Sequence, residues 1–510
     1  MTAKVKSVTI LGLEATPIEV EVDIANGLPG MTIVGLPDKA VEEAKERVRS
    51  AIKNSNAIFP HKKIIVNLAP ADIKKEGPSF DLPIAIGILA ASNQITINGD
   101  NNLFLGELSL DGSLRQISGA ITAAIFAQEK KYRELYLPAA NAKEASLISG
   151  FELKAVESLD QLILHLKGEV KIENCEMTLV DDLILKAKNS DYDMRHIAGQ
   201  AHAKRALEIA AAGGHNVLMF GSPGSGKTFL ARAFSGILPR MRPEEILEAT
   251  KIYSVAGLLN HDHPLVSSRP FRSPHHSASS KAIVGGGSWP KPGEVSLAHR
   301  GVLFMDEFPE FPRSVLEAMR QPLEDGTVCI SRAQGSLDFP ARFILIAAQN
   351  PCPCGFLGDD SHQCLCSPSD IIRYRKRISG PILDRIDIHL EVPRVKFRKM
   401  MTEGKEESSK KIRRRVEAAR RVQTKRFSGL TIKTNAEMGV REIKRYCLVD
   451  DNSQKLLENA MDNLAMSARG LHRTLKIART IADLNHSKNI KPEYIAEALS
   501  YRPVEQKIYV

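Results

Sequence analysis

Residues 221–228 read Gly221-Ser222-Pro223-Gly224-Ser225-Gly226-Lys227-Thr228, which fits G-x-x-x-x-G-K-[ST]. Glycines there allow backbone angles at which successive N–H groups face phosphate oxygens. A helix-like run, FLARAFSGIL, follows at once, and its N-terminal dipole favours the same anion. In this pattern Lys227 places its charge on the β- and γ-phosphates of ATP, and the Thr228 hydroxyl holds Mg²⁺. The apolar run before the loop supplies the strand that the motif requires.

Further downstream, an apolar run over 302–305 ends in Asp306-Glu307. Asp306 is expected to complete the Mg²⁺ shell with Thr228, at the strand end where open α/β sheets bind ligands. Glu307 is expected to act as the general base on the attacking water, because neighbouring side chains at a strand end point different ways. A third apolar run, 343–348, leads to Gln349-Asn350, and Asn350 is expected to orient that water near the γ-phosphate.

Four of the seven cysteines crowd into two pairs, Cys352-x-Cys354 and Cys364-x-Cys366. Four thiolates can make a closed tetrahedral Zn²⁺ site, although C-x-C is tighter than the usual spacing and His362 offers a substitute ligand. Structural zinc, reversible disulfides and unliganded thiols are all open on this pattern. A catalytic metal is not expected, since four thiolates leave no open position. The odd cysteine count argues against a secreted disulfide framework and for a cytoplasmic protein.

These residues need scaffolds. At roughly 150 residues per domain, 510 residues suggest three or four domains. The 70 Lys and Arg against 60 Asp and Glu leave a net charge of +10, which suits a polyanionic partner without fixing a fold. No apolar run reaches the roughly 18 residues of a membrane span, and Glu14 interrupts the N-terminal stretch, so neither a signal peptide nor membrane association is expected. Residues 1–168 mix strand-like and helical patterns, with Val41, Ala44, Val48 and Ile52 on one helix face and a hairpin at Asp111-Gly112. A charged linker spans 169–190. Over 191–395 the short aliphatic runs 216–220, 302–305 and 343–348 read as strands of a parallel α/β sheet. A second linker covers 396–409, and 410–505 is helical.

The order of phosphate loop, VLFMDE, strand-Asn, LDRID and helical lid resembles AAA+ ATPases. The stretches FRSPHHSASSKAIVGGGSWPKPGEVSLAHRGVLFMDEFPEF and NPCPCGF…CLCSPSDIIRYRKRISGPILDRIDIHLEVP resemble, more narrowly, the magnesium-chelatase-like ComM (YifB) family over nearly the whole chain. The resemblance implies an AAA+ P-loop core with a parallel sheet and helical lid. It implies a homo-hexameric motor that drives branch migration on single-stranded and branched DNA, with recombination proteins as partners, during natural transformation. Arg385 would be the arginine finger, reaching the neighbouring subunit's nucleotide. Arg469 would be the lid sensor, with Arg473 the alternative one turn on. Ile197, in the segment 196–200, would pack on adenine or serve as an ordinary core residue.

The same group includes the motor subunit of magnesium chelatase, so a chelatase-like remodeller of a protein partner is the competing reading. Two insertions favour DNA. Residues 281–292 are glycine-rich and carry Lys281, Lys291 and the only tryptophan, Trp289; residues 327–340 read as a hairpin with Arg332 and Gln334 near its tip. Both resemble pore elements that grip DNA, where cations neutralise phosphates and an indole stacks on bases. The run 410–426 holds nine Lys or Arg and one acid, Glu417, and reads either as a solvated lid helix or as a phosphate-tracking surface. Finally, 75–81 resembles the nucleophile segment of Lon-type proteases with Ser79 at the serine, but the partner lysine position is Ile121. Isoleucine cannot take a serine proton, so a smaller α+β Lon-like domain without peptidase activity is expected.

Overall fold

Alternating apolar residues build the first of two compact units, which comprises Met1–Lys186 and Pro243–Ser267. The computed structural model describes every residue except 1, 76, 98–100, 179–191, 260–263, 288–289, 333–334, 360–361, 396–405, 464–465 and 503–510. Among the described residues this unit holds a seven-stranded sheet in the order Gly30–Val34, Lys63–Ala69, Glu14–Ala25, Thr2–Leu11, Asn102–Phe104, Glu134–Pro138, Glu152–Val156. The long Thr2–Leu11 and Glu14–Ala25 strands are antiparallel, joined at Gly12, whose φ of 62° suits glycine. Ile18, Val20 and Val22 all point inward, as a period of two requires.

The helix Lys39–Asn54 seats Val41, Ala44, Val48, Ala51 and Ile52 in the core, and Asp38 caps it by accepting the Val41 N–H at 2.8 Å. The helix Asp81–Ala91 is buried almost all round and lies so close to the sheet that a Cβ on Gly87 would stand 2.6 Å from Val22 Cγ2. Glu107–Leu108 pairs with Leu114–Arg115 across Gly112, giving the expected short hairpin.

Asp81, fully buried, accepts from Arg47 Nε at 2.7 Å and from Nη2 at 2.9 Å. Removing one member of such a pair leaves a buried charge uncompensated. Asp81→Ala is therefore expected to destabilise this unit by about 3 kcal/mol, the low end of the usual range because Arg47 keeps some exposure. An earlier transition for this unit in urea would show it; an unchanged midpoint would rule the pair out as a stabilising contact.

Within the span 191–395 read as one core, Pro243–Ser267 gathers with the first unit. Its helix Pro243–Val255 offers the Ser254 carbonyl to Gly119 N–H at 3.1 Å, and Ser254 Oγ donates to Glu144. Burial pushes the Glu144 carboxyl up. Ile121 is fully buried and gives its N–H to Glu144 at 3.0 Å. Ser79 lies in the short turn of helix Pro78–Phe80.

The second unit comprises Ala187–Arg242 and Ser268–Val510. Its sheet, in the order Phe271–Arg272, Val302–Met305, Ile344–Gln349, Val217–Phe220, Ile388–Glu391, is parallel throughout. Leu303, Met305, Leu345, Ala347, Val217 and Met219 are fully buried, as strands covered on both faces must be. The C-terminal helices close on this sheet's helices within the same unit. Ser409–Arg426 turns Ile412, Val416 and Ala419 inward. Ala468–Leu484 buries Ala478 and Ala482, while Leu471 and Leu475 are partly buried at its edge.

Four arginines of the basic helix are committed to this packing. Arg413 donates to Gly236 O, Arg415 to Glu208 and Glu407, Arg420 to Ala211 O, and Arg426 to Asp483 and Asn435. Arg415 and Lys411 hold the Glu407 carboxyl down at about 2. Lys410, Lys411, Arg414, Arg421 and Lys425 are exposed. The helix is thus half internal clamp and half solvated cation face.

Candidate nucleotide site

The strand Val217–Phe220 delivers the chain into the glycine loop, and the helix Lys227–Ser235 carries it away. Gly224 and Gly226 take φ of 77° and 91°, open to glycine at little cost. Gly221 is required for a different reason: a Cβ there would meet Val392 O at 2.3 Å.

Lys227 Nζ bends back to donate to Gly221 O at 2.6 Å, Ser222 O at 3.0 Å and Asn350 Oδ1 at 3.3 Å. Burial pushes its ammonium below the ordinary lysine value, opposed by the charge of Asp306. Thr228 Oγ1 donates to Asp306 Oδ2 at 2.9 Å, and Asp306 Oδ1 accepts the Glu307 N–H at 3.0 Å. Lys227, Thr228, Asp306 and Asn350 therefore form one contiguous constellation across three neighbouring strand ends. Two features fit this constellation to a Mg²⁺-nucleotide. The Thr228–Asp306 pair offers two hard oxygen ligands side by side, and Ser225 Oγ is buried with no partner among the described residues, inside the loop.

Glu307 sits at φ 50°, in the left-handed region, just before the short helix Phe308–Glu310. Its Oε2 lies 3.0 Å from His276 Nδ1, and the His276 ring packs against that of His275 with centroids 4.1 Å apart. The sequence reading missed His276, although the adjacent histidines of SPHHS were the signal. It missed Gln200 as well, whose Nε2 supports the loop by donating to Ser225 O at 2.7 Å. Ile197 is 8% exposed and belongs to the hydrophobic core of this unit, so only an edge of it is open to a base.

Arg385 makes its contacts outside the 221–228 loop. It donates to Pro381 O at 2.6 Å and pairs with Glu324, while its Nε is buried with no partner among the described residues. Arg473 donates to Ile386 O at 3.2 Å and lies 3.6 Å from Asp384. Arg469 is exposed in the first turn of Ala468–Leu484.

Lys281 and Lys291 are both exposed, beside the short Gly285–Gly286 and Lys291–Pro292 ladder. Thr327–Arg332 and Gly335–Pro340 form the expected antiparallel hairpin. Trp289, Gln334 and the Arg332 side chain lie outside the described residues, as do 179–190 and 396–405 of the two linkers. The sulfurs of Cys352, Cys354, Cys364 and Cys366 lie within 4.8 Å of one another. His362 is apart from them, its ring stacked on Phe356 at 4.7 Å. Among the described residues no helix is long and apolar enough to cross a membrane.

Family models described as magnesium chelatase subunit ChlI match residues 193–400, residues 20–141 and, for its C-terminal part, residues 406–502. The competence protein ComM of Haemophilus influenzae is 46% identical over 495 residues, 96% of this chain and 96% of that protein. The YifB protein of Salmonella typhimurium is 45% identical over 500 residues, 97% of this chain and 96% of its own length. The magnesium-chelatase 38 kDa subunit of Acidiphilium rubrum is 29% identical over 195 residues, 31% of this chain and 53% of that subunit.

Proposed function

The chain belongs to the ComM/YifB family of magnesium-chelatase-like AAA+ proteins, and from that footing we propose that it is an ATP hydrolase working on DNA as a homo-hexameric ring. Its work is branch migration during the recombination that completes natural transformation. The observation that carries the hydrolase reading is the joined set of Lys227, Thr228, Asp306 and Asn350 at the strand ends, with Glu307 following at once on Asp306.

In this mechanism the loop N–H groups of 221–228 bind the phosphates, and Lys227 exchanges its loop carbonyls for phosphate oxygens. Thr228 and Asp306 would hold Mg²⁺, which would supply positive charge beside the transferred phosphoryl group. Glu307 accepts the proton of the attacking water, and Asn350 aligns that water. Arg385 of the adjoining copy lets go of Glu324 and offsets charge on the transferring group. Arg469, exposed on the lid, contacts nucleotide from the other side, and Ile197 flanks the base. Lys281, Trp289, Lys291 and Arg332 grip DNA phosphates and bases in the channel.

Support for DNA comes from the +10 net charge, the exposed Lys281 and Lys291 and the competence role in the relative's name. ATP turnover is expected to rise several-fold on adding single-stranded or four-way-junction DNA, and to lose that stimulation steeply with salt, as phosphate neutralisation dictates. Equal turnover with and without DNA, and junctions that never migrate, would sink the motor. The chelatase subunit's match to part of this chain favours a second reading, a remodeller of a protein partner. Stimulation by a protein alone would select it.

A further inference from the structure

The four clustered cysteines are left over by the proposed hydrolase chemistry, yet their loop touches its machinery. Cys352 Sγ lies 3.3 Å from Cys354 Sγ and 3.6 Å from Cys364 Sγ, and Cys354 and Cys364 are 3.6 Å apart. Zinc–sulfur bonds of about 2.3 Å put tetrahedral sulfurs about 3.8 Å from each other, so the thiols already stand near the edges of a zinc tetrahedron. None of the four is in a disulfide. The Cys354 N–H points at Cys366 Sγ, 3.4 Å away, the backbone donor that typically supports a metal-bound thiolate. Four soft ligands select zinc or iron over Mg²⁺ and leave no vacant position for substrate.

Where the cluster sits gives it a role. Cys352 comes two residues after Asn350, and the Cys352–Cys366 loop turns at Gly355 with φ 85°. Gly355 presses on the phosphate loop: a Cβ there would stand 2.7 Å from Pro223 Cδ and Cγ, and 3.8 Å from Asn350 Cγ. The same loop reaches Arg394, through His362 at 3.4 Å and Asp359 at 3.8 Å. A Cβ on Gly224 would lie 3.9 Å from that guanidinium.

We propose that Cys352, Cys354, Cys364 and Cys366 bind one Zn²⁺ in a closed thiolate site, and that the resulting knot is the seat holding Pro223 and Asn350 in their nucleotide-ready positions. The thiol protons leave to solvent as the metal binds, with no change of oxidation state. The metal-binding half stands on the cysteines alone; the seat half rests on the nucleotide site proposed above.

The full-length chain, purified anaerobically, is expected to contain one zinc per chain by elemental analysis. Cys364→Ser/Cys366→Ser should lose it, whereas Cys175→Ser should keep it. Because the double variant risks misfolding, zinc is also stripped from the wild-type chain with a strong chelator and then restored, with circular dichroism following the fold. Stripping should weaken fluorescent-ADP binding by about tenfold, of the size that small displacements of positioning groups cost, and zinc should restore it. Substoichiometric zinc that added zinc does not raise, stoichiometric iron instead, or a double variant that retains zinc would each overturn the site. Zinc-stripped and zinc-loaded protein binding ADP equally would overturn the seat. Metal content is read without any turnover, so it stands or falls separately from the hydrolase assignment.

Discussion

Glu307→Gln is expected to bind ATP as the parent does and to hydrolyse it roughly 10³-fold more slowly, the loss that follows removal of a general base. The substitution keeps volume and hydrogen-bonding reach, so the turn at φ 50° and the contact toward His276 are little disturbed. The groups proposed to hold the phosphates and their Mg²⁺ make other contacts: Lys227 with the loop carbonyls, and Thr228 with Asp306. What the amide lacks is the basic carboxylate oxygen that accepts the proton of water. Equilibrium binding of a fluorescent ATP analogue and steady-state phosphate release separate the two functions, and junction migration should stop with turnover. Lys227→Ala should show the opposite split, with binding itself lost. Parental turnover in Glu307→Gln would move the base role to another group.

The phosphate loop was legible because its glycines answer to backbone geometry, which is local: Gly224 and Gly226 need positive φ, and the pattern says so before any fold is known. The three short aliphatic runs were legible too, since strands buried on both faces are apolar throughout and these runs are too short for ordinary helices. Partners brought together by tertiary approach were not legible. Nothing about Glu307 points to His276, and nothing about Arg385 points to Glu324. For 410–426 a sequence sum cannot see that Arg413, Arg415, Arg420 and Arg426 turn inward onto carbonyls and carboxylates. Nor could the pattern of 243–267, helical and charged, reveal that it gathers with the first unit through Ser254. The cysteine spacing looked strained as a linear motif; Gly355 and Gly358, at φ of 85° and 78°, are where the loop turns back.

Arg385→Ala is expected to reduce turnover by on the order of 10³-fold, by analogy with other arginine fingers, while nucleotide affinity in the isolated subunit stays unchanged. The structure sets up this test because Arg385 rests on Glu324 and Pro381 O. Under the finger assignment that guanidinium acts on nucleotide across an interface between copies. Mixing Arg385→Ala with Glu307→Gln subunits, each inactive alone, should then restore activity. A finger from the second variant faces an intact base in the first at about one interface in four of a randomly mixed ring. If Arg385 acted within its own subunit, every site in the mixture would lack either its base or its finger, and no activity would return. If Arg385 were only a structural contact of Glu324, Glu324→Ala would reproduce the loss. Under the finger assignment, Glu324→Ala frees the guanidinium and leaves the catalytic groups in place.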